Sequence, residues 1–270
     1  MTTRTLPILV FVLCLCASGC GYKSFNEERL EEVKVATSQQ EHFLGRGVAA
    51  TLLGQYRAIN SQVANEYLNL LGQSLAMHST MPDTFIGYRF MLLESTEINA
   101  FAAPGGLILV TRGLVQCTSN EDELAAVLAH EIAHVQLRHG MGVLEKALES
   151  DVKKETAFMI VGSLVGGPLA LAITNSIGSI VKTMVVDGYS REAELAADQA
   201  ALAILRGAGY SEAGLSSMLQ NMNARLVSGS GFGKTHPSPT DRLSALGVSG
   251  KAQANPVRQA RYQVALADVK

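Results

Sequence analysis

The sequence predicts an α+β protein in which helix predominates and a small β-sheet lies beside one chemically loaded helix. Three observations carry that expectation. Apolar residues recur at intervals of three and four over most of the chain, the pattern of helices with one buried face. Two short runs, Tyr88–Leu93 (YRFMLL) and Leu107–Thr111 (LILVT), have the length and residue types of strands. No self-similarity with a period of about 20–50 residues is present, which excludes a solenoid. At 270 residues, 47% hydrophobic and 17% charged, the chain can build a sizeable core and is not of the disordered class. A net charge of −2 and the absence of Trp give no footprint for nucleic acid.

The first segment is set apart from the fold. Residues 1–19 carry Arg4, an apolar run from Leu6 to Cys16, and then Ala17, Ser18 and Gly19 before Cys20. That is the layout of a secretory signal, and it resembles a bacterial lipoprotein signal in which Cys20 is acylated and anchors the chain to a membrane. Ala17 departs from that pattern, where Leu is usual. Gly21, in place of an acidic residue, favours the outer membrane over the inner, so the expected location is the periplasmic side of the cell envelope. Cys14 and Cys16 leave with the signal and Cys20 is capped, so Cys117 stands alone and no disulfide framework is expected.

Residues 20–250 read as a single domain. From Glu27 to Met77 the pattern is helical, through Leu30, Val33, Val48, Leu52, Tyr67 and Leu71, and His78–Asp83 breaks it. The two strands follow, joined through NAFAAPGG, whose Pro104-Gly105-Gly106 marks a turn. Thr118–Gly140 is a helix, with Thr118 and Glu121 in the form of a capping box and Gly140 as its stop. A long uncharged run from Ala157 to Val181 comes next, interrupted by glycines and Pro168. Helices are expected over Arg191–Leu205, Ser211–Leu226 and Arg242–Leu246, the last two separated by a Gly/Ser-rich loop. Residues 251–270 read as a polar, loosely held C-terminal tail.

The chemistry is concentrated in two of these helices. His130 and His134 are one turn apart on one helical face, a spacing that lets both imidazoles reach one zinc ion. Glu131 lies about 100° round the helix, where it can flank the metal as a general base without ligating it. His139 would lie on another face of a continuous helix and is expected to be a bystander. Catalytic zinc takes three protein ligands and leaves one position open, so a third ligand is missing. Glu194 is the favoured supplier, with Asp198 one turn on to accept the N–H of a ligand histidine. Glu192 competes but has no acid four positions further. Since His134 precedes the uncharged run and Glu194 follows it, a single membrane crossing between them would put the two on opposite sides of the bilayer. The run is therefore expected to be a non-spanning hairpin that caps the site near the membrane surface.

HEIAH, SREAELAAD and HPSPTDR, preceded by INAFAAPGGLILVTRGLV, together resemble metallopeptidase family forty-eight, from about Phe43 to Leu246 and in the family's order. The resemblance implies a gluzincin fold, one Zn2+ per chain and endopeptidase activity, in the manner of the family's short periplasmic lipoproteins. It implies His130, His134 and Glu194 as zinc ligands, Glu131 as general base and Asp198 as an orienting acid. His236 and Arg242 are implied only by the resemblance, His236 approaching either the metal or a substrate oxyanion. The strand after the turn (Gly105, Gly106, Leu107, Ile108 and Leu109) is the candidate edge for pairing with an extended substrate. Such recognition reads backbone, which suits unfolded or misassembled envelope proteins and possible envelope assembly machinery as partners. The alternative is an envelope chaperone or assembly factor with a structural zinc.

Overall fold

The computed structural model describes residues 38–151, 175, 177–225, 235–247, 250, 252 and 255–270. The expected signal segment with Cys20 lies outside the described residues, as do residues 157–174 and 176 of the uncharged run. The chain opens with helix α1 (residues 38–53) and a two-residue strand β1 (Arg57–Ala58), followed by α2 (Gln62–Ala76). Three longer strands follow: β2 (Arg89–Glu94), β3 (Ala100–Ala103) and β4 (Leu107–Thr111). Then come α3 (Arg112–Cys117), α4 (Glu121–Gln136) and α5 (His139–Asp151). After residues 177–187 (α6, whose last turn is a π-helix), the chain ends in α7 (Arg191–Gly207), α8 (Ala213–Arg225), α9 (Pro239–Leu246) and α10 (Pro256–Ala265). Among the described residues no helix is long and apolar enough to cross a membrane. The mainly helical architecture with a small sheet is the one read from sequence.

The sheet order is β1-β2-β4-β3, with β2 and β4 parallel and the other pairs antiparallel. Alternation along β4 sends Ile108 and Val110 into a core shared with α2, α4, α7 and α8, and Leu107 and Leu109 to a second cluster with Val48, Leu52, Phe101 and Ile180. Because β1 is short, it leaves part of β2 unpaired, and α2 covers it. Asn69 accepts from the Phe90 N–H at 3.0 Å and donates to its carbonyl at 2.6 Å, and Asn65 accepts from the Leu92 N–H at 3.1 Å.

This order corrects the expected substrate strand. Leu107, Ile108 and Leu109 lie in β4, which is flanked by β2 and β3 and has no edge to offer. Gly105 and Gly106 form the buried 3-10 turn between β3 and β4, both at left-handed φ, and a Cβ on Gly105 would lie 2.8 Å from the His42 backbone. The outer strand beside β4 is β3, which the sequence concealed because four residues of AFAA have no β-branched member. Thr111 N–H bonds the Asn99 carbonyl at 3.1 Å, so by alternation Phe101 and Ala103 continue the ladder. Ala100 and Ala102 turn their backbone groups to the outer edge, where Asn99 Oδ1 accepts from the Ala100 N–H at 3.0 Å.

Helix α4 is the axis of the fold. Every residue from Glu121 to Val135 is buried, with α7, α8, α2 and β3 packed around it. Ala125, Ala126, Ala129 and Ala133 keep its surface thin enough for neighbours to approach from all sides. Its start is two residues later than the expected capping box. Asn120 is the N-cap, accepting from the Glu123 N–H at 3.0 Å, while Glu123 accepts from the Ser119 N–H at 2.7 Å. The Thr118 hydroxyl pairs instead with Tyr262 at 2.7 Å.

The C-terminal residues are also better held than expected. Tyr262, Leu266 and Val269 recur at helical spacing and are buried, and Asn255 followed by Pro256 is a helix-start signal that the polar composition masked. Arg258 bonds Asp122 at 3.0 Å and Arg261 clamps Glu121, so α10 neutralises buried acids of the first turn of α4.

Candidate metal centre

The buried helix α4 and the buried face of α7 pack together and present the chemically loaded residues to each other. His130 and His134 project from α4, and Glu194 and Asp198 from α7, each pair one helical turn apart. His236 comes from the loop ahead of α9, and Arg242 from α9 itself. The His130 and His134 Nε2 atoms are 3.1 Å apart. Glu194 Oε2 lies 3.4 Å from His130 Nε2, and Glu194 Oε1 lies 3.4 Å from His134 Nε2. His236 Nδ1 is 2.6 Å from Glu194 Oε2, and one ligand atom from each of these four residues lies within 4.8 Å of the others.

These separations fit a single ion. Ligand bonds of about 2.0–2.1 Å in a tetrahedron set donors roughly 3.3 Å apart, close to the 3.1–3.4 Å spacings among His130, His134 and Glu194. Glu194 Oε1 is buried with no hydrogen-bond partner, which a carboxylate oxygen tolerates when a cation is its intended neighbour. Burial would raise the Glu194 carboxyl, but His236, His134 and His130 hold it well below the usual carboxylate range. A neutral imidazole pair with an ionised carboxylate is the donor chemistry of a divalent transition metal.

Behind the donors stands a charged brace. Asp198 Oδ1 is 2.9 Å from His130 Nδ1, and both Asp198 oxygens accept from Arg242, from its Nε at 2.9 Å and from its Nη2. Arg242 is 1% exposed and Asp198 fully buried. Burial alone would raise Asp198, but the Arg242 guanidinium holds it far below its ordinary range.

Glu131 is buried beside this group and one of its carboxylate oxygens has no partner. Burial, reinforced by Glu194, pushes its carboxyl up to about 7. It lines a small cleft together with Ala100, Ala102, Tyr189, Thr235 and His236. The outer edge of β3 therefore faces the same space as Glu131.

Two residues have places that sequence reasoning did not give them. Tyr189 stacks on His134 with ring centroids 4.6 Å apart and planes at 24°. It precedes the α7 N-cap, and no periodicity marks it. His139 was expected to point away, on the premise of a helix continuing to Gly140. The helix instead ends at Gln136, Arg138 takes a left-handed φ of 54°, and His139 Nδ1 comes within 2.9 Å of His134 Nδ1. Glu192 is exposed on the other side of α7 and takes no part.

Comparison with known proteins agrees with this geometry. The family model described as Peptidase family M48 matches residues 62–248. The Beta-barrel assembly-enhancing protease of Escherichia coli K12 is 30% identical over 216 residues, covering 76% of this chain and 42% of that protein. Metalloprotease LoiP of the same organism is 29% identical over 237 residues, covering 84% of this chain and 88% of LoiP. The chain spans about half the length of the assembly-enhancing proteases it matches.

Proposed function

The chain belongs to Peptidase family M48, and from that premise we propose that it is a zinc-dependent endopeptidase of the bacterial cell envelope that cleaves unfolded or misassembled proteins. The observation that carries the reading is the convergence of His130, His134 and Glu194 on one point, with the unpartnered carboxylate of Glu131 beside it on the cleft. In this reading His130, His134 and Glu194 hold the zinc. When bound, zinc supplies Lewis acidity that polarises the scissile carbonyl and lowers the pKa of water.

The chain's own residues do the rest. Glu131 takes a proton from the attacking water and passes it to the leaving amine, and a carboxyl near neutrality is suited to both transfers. Asp198 accepts the His130 Nδ1 proton, which keeps the Nε2 lone pair turned to the metal, and Arg242 fixes Asp198. An extended substrate backbone is received along the outer edge of β3, at Ala102 and the Ala100 carbonyl, so selection depends little on side chains. For His236, the position of its ring within 4.8 Å of the His130, His134 and Glu194 ligand atoms supports a resting-state role: it fills the fourth donor position and must withdraw for turnover. On that account His236→Ala raises peptidase activity, whereas a large loss assigns His236 to the oxyanion.

Residues 20–250 are read as the peptidase domain, and export with acylation at Cys20 as its route to the outer membrane. The name of one relative, Beta-barrel assembly-enhancing protease, supports an envelope setting. Cys20→Ser should move the protein from the membrane to the soluble periplasmic fraction. The activity itself is tested with Glu131→Gln, which should bind zinc like the unmodified chain and fail to cleave casein. Equal cleavage by both would overturn the peptidase assignment.

A further inference from the structure

We propose that His139 is the positioning residue for the ligand His134, as Asp198 is for His130. The inference rests on the zinc reading above and extends it to a residue outside the metal-binding motif. His134 turns Nε2 toward His130 and Glu194, and turns Nδ1 toward His139 Nδ1 at 2.9 Å. A ligating Nε2 must offer its lone pair, so the ring proton of His134 resides on Nδ1. His139 Nδ1 is then the acceptor, and His139 is the tautomer with its proton on Nε2. Ligand histidines nearly always donate their second N–H to a carboxylate, a carbonyl or a water. Here an imidazole serves one ligand and a carboxylate the other, so the second orienting group adds no charge to a centre that already holds Glu131, Glu194 and Asp198.

The backbone is shaped to make that contact. Between Gln136 and His139 the chain abandons the helix, and Arg138 adopts a left-handed φ of 54°, which costs a residue other than glycine about 1 kcal/mol or more. Glu41 of α1 lies 3.2 Å from the Arg138 guanidinium and also accepts the Gly105 N–H, tying the turn to the β3–β4 connection. Gly140 allows α5 to start against Pro104, since a Cβ there would lie 3.1 Å from the proline ring. Tyr189 stacks on His134 and fixes its ring plane, leaving His139 to fix its rotation within that plane.

Zinc affinity, measured by chelator competition on the full chain, provides the test. His139→Leu should weaken zinc binding by about tenfold to a hundredfold, and His139→Gln, which keeps an acceptor, should recover most of that. Leu binding within about twofold of the unmodified protein, or Gln as weak as Leu, overturns the proposal. A measurement needing no variant is nitrogen-15 NMR of the zinc-loaded protein. It should show His134 protonated at Nδ1, with a nitrogen–nitrogen coupling across the hydrogen bond to His139 Nδ1; both resonances observed without that coupling overturns the proposal. If the unmodified chain takes up no zinc, the metallopeptidase reading fails, an outcome distinct from equal binding by unmodified and Leu forms.

Discussion

Replacing Arg242 with methionine is the most informative single perturbation of the brace behind the donors. Arg242 and Asp198 are both buried, and two of the hydrogen bonds that Asp198 accepts come from the guanidinium. Methionine fills similar volume but leaves the carboxylate with His130 as its remaining partner. Removing one member of a buried ion pair costs roughly 3–5 kcal/mol, because the other charge stays desolvated. In a domain of this size each kcal/mol moves the midpoint by about 2–4 °C, so the Tm should fall by roughly 6–20 °C. The assay is thermal unfolding in excess chelator, which keeps metal affinity out of the comparison. Pairing Arg242→Met with Asp198→Asn removes the orphaned charge and retains an acceptor for His130. The double variant should therefore be more stable than Arg242→Met alone, with an interaction energy of up to about 3 kcal/mol. A fall below about 3 °C for Arg242→Met, with no recovery in the double variant, would refute the brace and move Arg242 to the substrate side.

Other consequences are open to measurement. Asn120→Ala removes the observed cap of α4 and should cost about 1 kcal/mol in chelator, so an unchanged Tm would reject Asn120 as the cap. Burial would raise Glu121, but Arg261, Tyr210 and Tyr67 hold its carboxyl below its ordinary value of 4.5. That group's stability contribution is then complete above the unfolded pKa and is lost as pH falls through the folded one. Glu121→Gln should accordingly lose less Tm than the unmodified chain between about pH 5 and pH 3, and parallel curves would contradict the linkage. Ala102→Pro deletes an N–H that faces the outer edge of β3 without breaking the ladder to β4, so kcat/KM for casein should drop while zinc binding is kept. Unchanged kcat/KM would show that substrate is received elsewhere.

Much of the fold was legible because burial imposes periodicity. Leu124, Val127, Leu128, Ile132 and Val135 announce α4, and LILVT announces β4. What escaped was structure held by neighbours rather than by its own composition. β3 is four residues of AFAA, a strand only because β4 supplies its partner. α10 looks polar because Arg258 and Arg261 answer acids on another helix, a complementarity visible only once Glu121 and Asp122 are known to be buried. The order of strands was not legible at all. Nothing in Leu107–Thr111 says whether one neighbour or two will pair with it, and so an inner strand was taken for an edge.

The candidate site shows the same division at finer grain. Spacing alone brought His130, Glu131 and His134 to one helix and Glu194 and Asp198 to another, because a one-turn repeat is a fact of helical geometry. Joining the two sets needed chemistry, namely that zinc lacks a ligand. His139 was lost by trusting that geometry too far. On an unbroken helix it lies about 140° from His134, yet a single left-handed residue at Arg138 undoes that angle. The residue that permits this is an arginine, not a glycine, and it is tied to Glu41 on a helix almost a hundred positions earlier. A backbone state that depends on a distant ion pair leaves no local mark. If Glu41→Ala lets Arg138 relax to helical φ, His139 swings off His134 and zinc affinity falls as it does in His139→Leu. Equal affinity in Glu41→Ala and the unmodified chain would show that the turn holds without its tether.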